Sequence, residues 1–132
     1  MLHHLTLWVP DLERAEQSWG WLLGRLGYTR DGSLDAVALF RHPGGFAVAL
    51  EESRDMVPGM LYSRLRPGLN HIAFAVPSVG EMTAITADCD AHGWSALPVD
   101  RHPIAGGAEV AYLEDRDGFE VELVTPLRRT LG

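Results

Sequence analysis

A chain of 132 residues, 46% hydrophobic and 22% charged, is long enough to bury a core without disulfide or metal staples. Its formal net charge of -7 argues against nucleic acid or an anionic membrane as main partner, since both reward basic patches. A single cysteine, Cys89, excludes an internal disulfide framework, and all eleven basic residues being arginine excludes a Schiff-base lysine.

In chain order, the opening "LHHLTLWVP" has no basic segment followed by a cleavable apolar stretch, and no later apolar run approaches membrane-spanning length. A cytoplasmic protein with no membrane partner is expected. His4 to Val9 alternates as a strand does, and Asp11 then offers a side-chain oxygen to a free helix N–H. Leu12, Ala15, Trp19, Leu22, Leu23 and Leu26 recur at helical spacing until Gly27 stops the run. Strands are predicted near 28–31, 35–41 and 46–51, with "HPGG" turning the last two. Residues 53–68, with Pro58, Gly59, Pro67 and Gly68, read as a linker. A strand at 70–76, a helix over 79–92 stopped by Gly93, and strands near 95–99, 108–113 and 119–125 follow, with "EDRDG" as the last turn.

The chain is one unit written twice. "HLTLWVPDLER" from His4 matches "HIAFAVPSVGE" from His71, and "GGFAVALEE" from Gly44 matches "DGFEVELVT" from Asp117. The organisation expected is a single domain of two repeats, with modules at 1–52 and 69–127. Where the second copy carries Glu120 and Glu122, the first carries Ala47 and Ala49.

On "HHLTLWVPDLERA", "GLNHIAFAVPS" and "YLEDRDGFEVELV", the sequence resembles the vicinal oxygen chelate superfamily. That superfamily includes glyoxalase I, fosfomycin-resistance enzymes, extradiol dioxygenases and bleomycin-resistance proteins, and the resemblance covers nearly the whole chain. It implies an α+β fold of tandem βαβββ modules forming a curved eight-stranded sheet cup, commonly closed across a homodimer. It also implies metal ligands at the first-strand histidines, His4 and His71, and at the last-strand carboxylate, Glu122. The fourth position, a glutamate in glyoxalase I, is Ala49 here, which points away from that enzyme and toward a three-ligand set.

Two imidazoles and a carboxylate suit one Fe, Mn, Ni or Zn ion and leave positions open for substrate oxygens. A strand's period of two puts His4, Thr6 and Trp8 on one face, His71, Ala73 and Ala75 on another, and Glu120, Glu122 and Val124 on a third. His3 is expected on the face opposite His4. Glu51 shares the face of Ala49, and family position places Tyr112 in the cup. Either could transfer a proton.

The expected ligand contacts are Thr6, Trp8, Ala49, Ala73, Met60, Tyr62, Arg101, His102 and Tyr112. Alanines vacate volume, Trp8 supplies an aromatic wall, and Met60 and Tyr62 suit an adaptable lid. The loop "HPIAGGAEV" lacks the lysine and serine with which fosfomycin enzymes hold a phosphonate, so that substrate is not expected. Two readings follow. One is a small-molecule binding protein for a bulky aromatic natural product or antibiotic, needing no cofactor. The alternative is a mononuclear metal enzyme of lyase, dioxygenase, epimerase or thiol-transferase type.

Overall fold

The first helix starts where Asp11 predicts: the Asp11 carboxylate accepts from the Arg14 N–H at 3.0 Å, and the helix α1 runs Leu12–Arg25. Before it lies strand β1 (His4–Trp8), and after it come β2 (Thr29–Asp31), β3 (Val37–Arg41) and β4 (Ala47–Glu51). The second half repeats the order as β5 (His71–Ala75), α2 (Val79–Asp88), β6 (Trp94–Leu97), β7 (Val110–Asp115) and β8 (Glu120–Val124). Ser78 caps α2 by accepting from the Glu81 N–H at 3.1 Å, the same service at the matching position. The computed structural model describes residues 1–32, 36–99 and 108–126. Two units divide between Leu61 and Tyr62.

Each unit is a βαβββ module with one four-stranded mixed sheet, ordered β1-β4-β3-β2 in the first and β5-β8-β7-β6 in the second. The α+β class and the tandem modules are as expected. The registers also match. His4 pairs with Ala47 and Thr6 with Ala49, while His71 pairs with Glu120 and Ala73 with Glu122. Both hairpins are closed alike, with His42 N–H donating to the Phe46 carbonyl and Asp115 N–H to the Phe119 carbonyl. Gly45 (φ 101) and Gly118 (φ 87) take the left-handed corner in the two turns, where a Cβ would be strained. Even the turn's side-chain acceptor is replaced in kind: His42 Nδ1 takes the Gly44 N–H, and Asp115 Oδ1 takes the Asp117 N–H, each at 2.9 Å.

Alternation sends one face of each sheet to its helix. In the first unit Val48, Leu50, Ala38 and Phe40 are buried, as are Ala15, Trp19, Leu22 and Leu23 of α1. Each large side chain so buried stabilises by roughly 1.5–3 kcal/mol before entropy is charged. Ser18 lies in this stripe and satisfies its hydroxyl on the Ala15 carbonyl at 3.2 Å. The second unit buries Phe74, Leu113, Val121 and Leu123, with Met82, Ile85 and Cys89 from the helical segment. The opposite face of the second unit's sheet carries the candidate site.

Two expectations are corrected. The helix predicted over 79–92 is α-helical only to Asp88; Cys89–His92 tightens into a 3-10 turn, with Gly93 (φ 84) donating to the Cys89 carbonyl. Such tightening satisfies carbonyls that an α-helix leaves open at its end. His3 does not face away from His4. It precedes β1, so strand alternation does not govern it, and the two Nδ1 atoms lie 2.8 Å apart. No helix among the described residues is long and apolar enough to cross a membrane.

Candidate functional site

The second unit assembles an imidazole, a carboxylate and a phenol on one sheet face. β5 and β8 run parallel, so His71 stands beside the start of β8, and His71 Nε2 reaches Glu122 Oε2 at 3.1 Å. β7 pairs Tyr112 directly with Glu122, and the Tyr112 hydroxyl donates to Glu122 Oε1 at 3.3 Å. The His71 ring also meets the Tyr112 ring edge-on, with centroids 6.3 Å apart. Glu122 is buried, where an ionised carboxylate is costly unless both oxygens are engaged. Here each oxygen has a partner.

A second carboxylate, Glu120, lies behind the pair with no solvent-exposed side-chain surface; its oxygens lie 4.0 Å from Arg64 Nε and 3.9 Å from His71 Nδ1. Arg64 comes from the segment before β5. Its Nη1 donates to Glu114 at 3.0 Å and to the Gly118 carbonyl at 3.2 Å. The same segment is held by Tyr62, whose ring stacks on Phe119 at 4.0 Å and whose hydroxyl donates to the Leu69 carbonyl. Burial pushes the Tyr62 phenol above its ordinary value, with Asp115 and Glu120 adding and Arg64 opposing.

The matching face of the first unit is stripped of this chemistry. Ala47 and Ala49 are buried at the positions of Glu120 and Glu122, and their β3 partners are Arg41 and Leu39 where β7 has Glu114 and Tyr112. The carboxylate and its hydroxyl donor are therefore absent together. His4 and Thr6 stay on the exposed side of β1. Trp8 is 47% exposed, yet its indole is fixed by donating from Nε1 to Glu51 Oε2 at 3.1 Å.

A family profile described as the Glyoxalase/Bleomycin resistance protein/Dioxygenase superfamily matches residues 3–112. The chain belongs to this superfamily. This superfamily member is similar to the uncharacterized protein YqjT of Bacillus subtilis (strain 168), 35% identical over 127 residues that cover 95% of this chain and 98% of the relative. A crystal structure of a glyoxalase candidate from Bacillus halodurans is 34% identical, with a TM-score of 0.83 over 96% of each chain. The genomically encoded fosfomycin resistance protein FosX of Listeria monocytogenes is 26% identical, with a TM-score of 0.66 over 94% of this chain and 89% of that one. The resemblance drawn from the repeated histidine and glutamate motifs is borne out.

Of the residues singled out in this superfamily member's sequence, His71, Glu122 and Tyr112 come together within the second unit, and Trp8 with Glu51 within the first. His4 stands in the first unit. Among the described residues no set of three or more His, Cys, Asp or Glu side chains gathers as a metal site. Ala73 is exposed beside Glu122, and Met60 is exposed in the segment between the sheets. Arg101 and His102 lie outside the described residues. Sequence reasoning passed over Asn70, and it placed Glu120 on the face of Glu122 without giving it a role. The register of β5 against β8 would have flagged Glu120, and the chain's only asparagine beside a repeat histidine was the signal for Asn70.

Proposed function

We propose that this superfamily member acts on a small molecule at a divalent metal held by His71 and Glu122. The observation that carries this reading is the 3.1 Å approach of His71 Nε2 to Glu122 Oε2. Nitrogen and oxygen donors about 2.0–2.2 Å from one ion lie roughly 3 Å from each other, so the pair fits a shared metal without rearrangement. Imidazole with carboxylate suits Fe, Mn, Ni or Zn. A bound ion of this kind polarises a substrate oxygen as a Lewis acid.

The chain's own residues supply the rest. Tyr112 holds the second oxygen of Glu122 and so fixes the carboxylate plane, while keeping a transferable proton on that face. Ala49 removes the ligand position that a four-ligand centre would need. Ala73, Tyr62, Arg101 and His102 of the second unit are the further proposed ligand contacts, in a cytoplasmic homodimer. Metal analysis of protein purified without chelator tests the reading. A stoichiometric divalent ion in wild type and none in a folded Glu122→Ala variant is expected; no ion in either contradicts it.

A second reading drops the metal: sequestration of a bulky aromatic natural product or antibiotic. The exposed Trp8, hydrogen-bonded to Glu51 on the sheet that also carries Ala47 and Ala49, favours it. Likeness to a fosfomycin resistance protein supports a resistance setting, while the loop "HPIAGGAEV" argues against a phosphonate. Binding that survives chelation and His71→Ala in a thermal-shift screen of aromatic antibiotics would select this reading over the first.

A further inference from the structure

The two sheets also differ at a pair of matched positions far from the missing acids. In the first, Trp8 of β1 pairs with Glu51 of β4; in the second, Ala75 of β5 pairs with Val124 of β8. The module thus closes with two small apolar residues at this place, and needs neither a large ring nor an acid. The first unit nonetheless fixes both. The Val9 N–H donates to the Glu51 carbonyl at 2.9 Å, and the Trp8 indole Nε1 donates to Glu51 Oε2 at 3.1 Å. Trp8 stays 47% exposed, so burial returns only part of what an indole can contribute.

The carboxylate says what kind of group would complete the pair. Both arginines of this sheet are already matched, Arg41 with Asp31 at 3.1 Å and Arg30 with Glu16. Among the described residues no arginine or histidine makes an ion pair with Glu51, whose carboxylate takes only the indole hydrogen, on Oε2. Glu51 is half-buried, with Val37 as its β3 partner. A neutral ring laid on Trp8 would strip water from this anion and return nothing, whereas a cation would replace the water. The exposed indole face attracts the same charge.

We propose that Trp8 and Glu51 form a subsite for the cationic group of a small organic amine. The ammonium meets Glu51 Oε1, and the carbon body beside it lies on the exposed indole. The next pair along this face, Thr6 with Ala49, is uncharged, so selection for positive charge falls on Glu51. The chain's net charge of -7 draws cations toward it. The subsite needs no metal; it rests on the sequestration reading only in using Trp8 as a wall, and adds to it a requirement for charge.

The test is titration of chelator-treated protein with phenethylammonium and with its uncharged counterpart, phenethyl alcohol. Binding is followed by calorimetry and by the indole 1H–15N signal of Trp8, assigned with Trp8→Phe. The ammonium is expected to move that signal and to bind at least about tenfold more tightly than the alcohol. Glu51→Gln keeps an oxygen for the indole hydrogen and removes the charge. It should weaken the ammonium at least about tenfold and leave the alcohol unchanged, and Trp8→Phe should weaken the ammonium as well. Added salt should weaken the ammonium alone. Equal affinity for the two ligands overturns the proposal while leaving an uncharged aromatic site in place. Ammonium binding that Glu51→Gln does not change overturns it too, as does no ammonium binding by wild type. Should Glu51→Gln fail to fold, the comparison of the two ligands in wild type decides alone. None of these outcomes touches the metal reading, because no metal is present in the titration.

Discussion

The Tyr112 hydroxyl donates to the Glu122 carboxylate at 3.3 Å across the β7–β8 pair, and the corresponding cross-strand pair of the first unit is Leu39 with Ala49. The duplicated site has thus diverged by pairs: where the acid is gone, the group that satisfied it is gone too. A carboxylate buried without its donor is costly, whereas an apolar pair of similar placement is nearly neutral. The two alanines of "GGFAVALEE" are one half of a coordinated replacement.

Restoring that pair should show the coupling. Ala49→Glu alone puts a carboxyl without its hydroxyl donor at a buried position and should cost roughly 3 kcal/mol. Adding Leu39→Tyr supplies the hydroxyl and should recover about 1 kcal/mol, visible in a double-mutant cycle from urea midpoints. Strictly additive costs would show that the pairs are not energetically linked.

Trp8 should report on the ligand. Trp19 and Trp94 are buried and Trp21 is half-buried, so Trp8 is the most acrylamide-accessible of the four, and Trp8→Phe should reduce the quenchable fraction. The substitution should change stability by no more than about 1 kcal/mol, because it loses one exposed hydrogen bond to Glu51. It should weaken an aromatic ligand roughly tenfold if the indole forms a wall of its site. Unchanged affinity would remove Trp8 from the site.

Glycines in helix and hairpin should respond in opposite directions. A Cβ at Gly24 meets nothing within 4 Å, and Gly24 lies in α1, so Gly24→Ala should stabilise by up to about 1 kcal/mol. Gly45 and Gly118 also have open space, but their φ values of 101 and 87 are left-handed. Gly45→Ala and Gly118→Ala should each destabilise by about 1–2 kcal/mol. Thermal midpoints separate the two cases.

Much of the fold was legible because its signals are local. Asp11 and Gly27 mark the ends of α1, and the repeated Gly-Phe places both hairpin corners. The face of each sheet followed from the period of two once the copies were aligned. The identity of the partners was not legible in the same way. That Tyr112 satisfies Glu122 depends on the β7–β8 register, and that Asn70 grips His71 depends on a backbone carbonyl six residues upstream. His3 escaped because alternation stops where the strand does, and the end of α2 because a 3-10 turn and an α-turn share their apolar spacing over four residues.

Alkaline pH should loosen the fold. Burial, then the nearby Asp90, pushes the Cys89 thiol above its ordinary value of 9.0, and burial raises the Tyr28 and Tyr62 phenols above 10.0. Each folded group keeps its proton longer than the unfolded chain does. The folded state therefore binds more protons, and stability falls as pH climbs from the ordinary values through the raised ones. Urea midpoints should be lower at about pH 10.5 than at about pH 8, and Cys89→Ala should blunt the earliest part of the fall. A midpoint that holds or rises across this window would contradict the assignment of the buried Cys89 and the half-buried Tyr28 and Tyr62 as protonated in the fold.

The central claim is that the His71–Glu122 pair is a ligand pair and not merely a salt bridge. Calorimetric titration of Mn2+, Ni2+ and Zn2+ into chelator-treated protein tests it most directly, using Glu122→Gln, which keeps the shape and the Tyr112 hydrogen bond while removing the charge. One ion per chain in wild type, weakened at least about tenfold in a folded Glu122→Gln protein, is the result predicted. Equal affinity in the two proteins, or no binding by wild type, would contradict it.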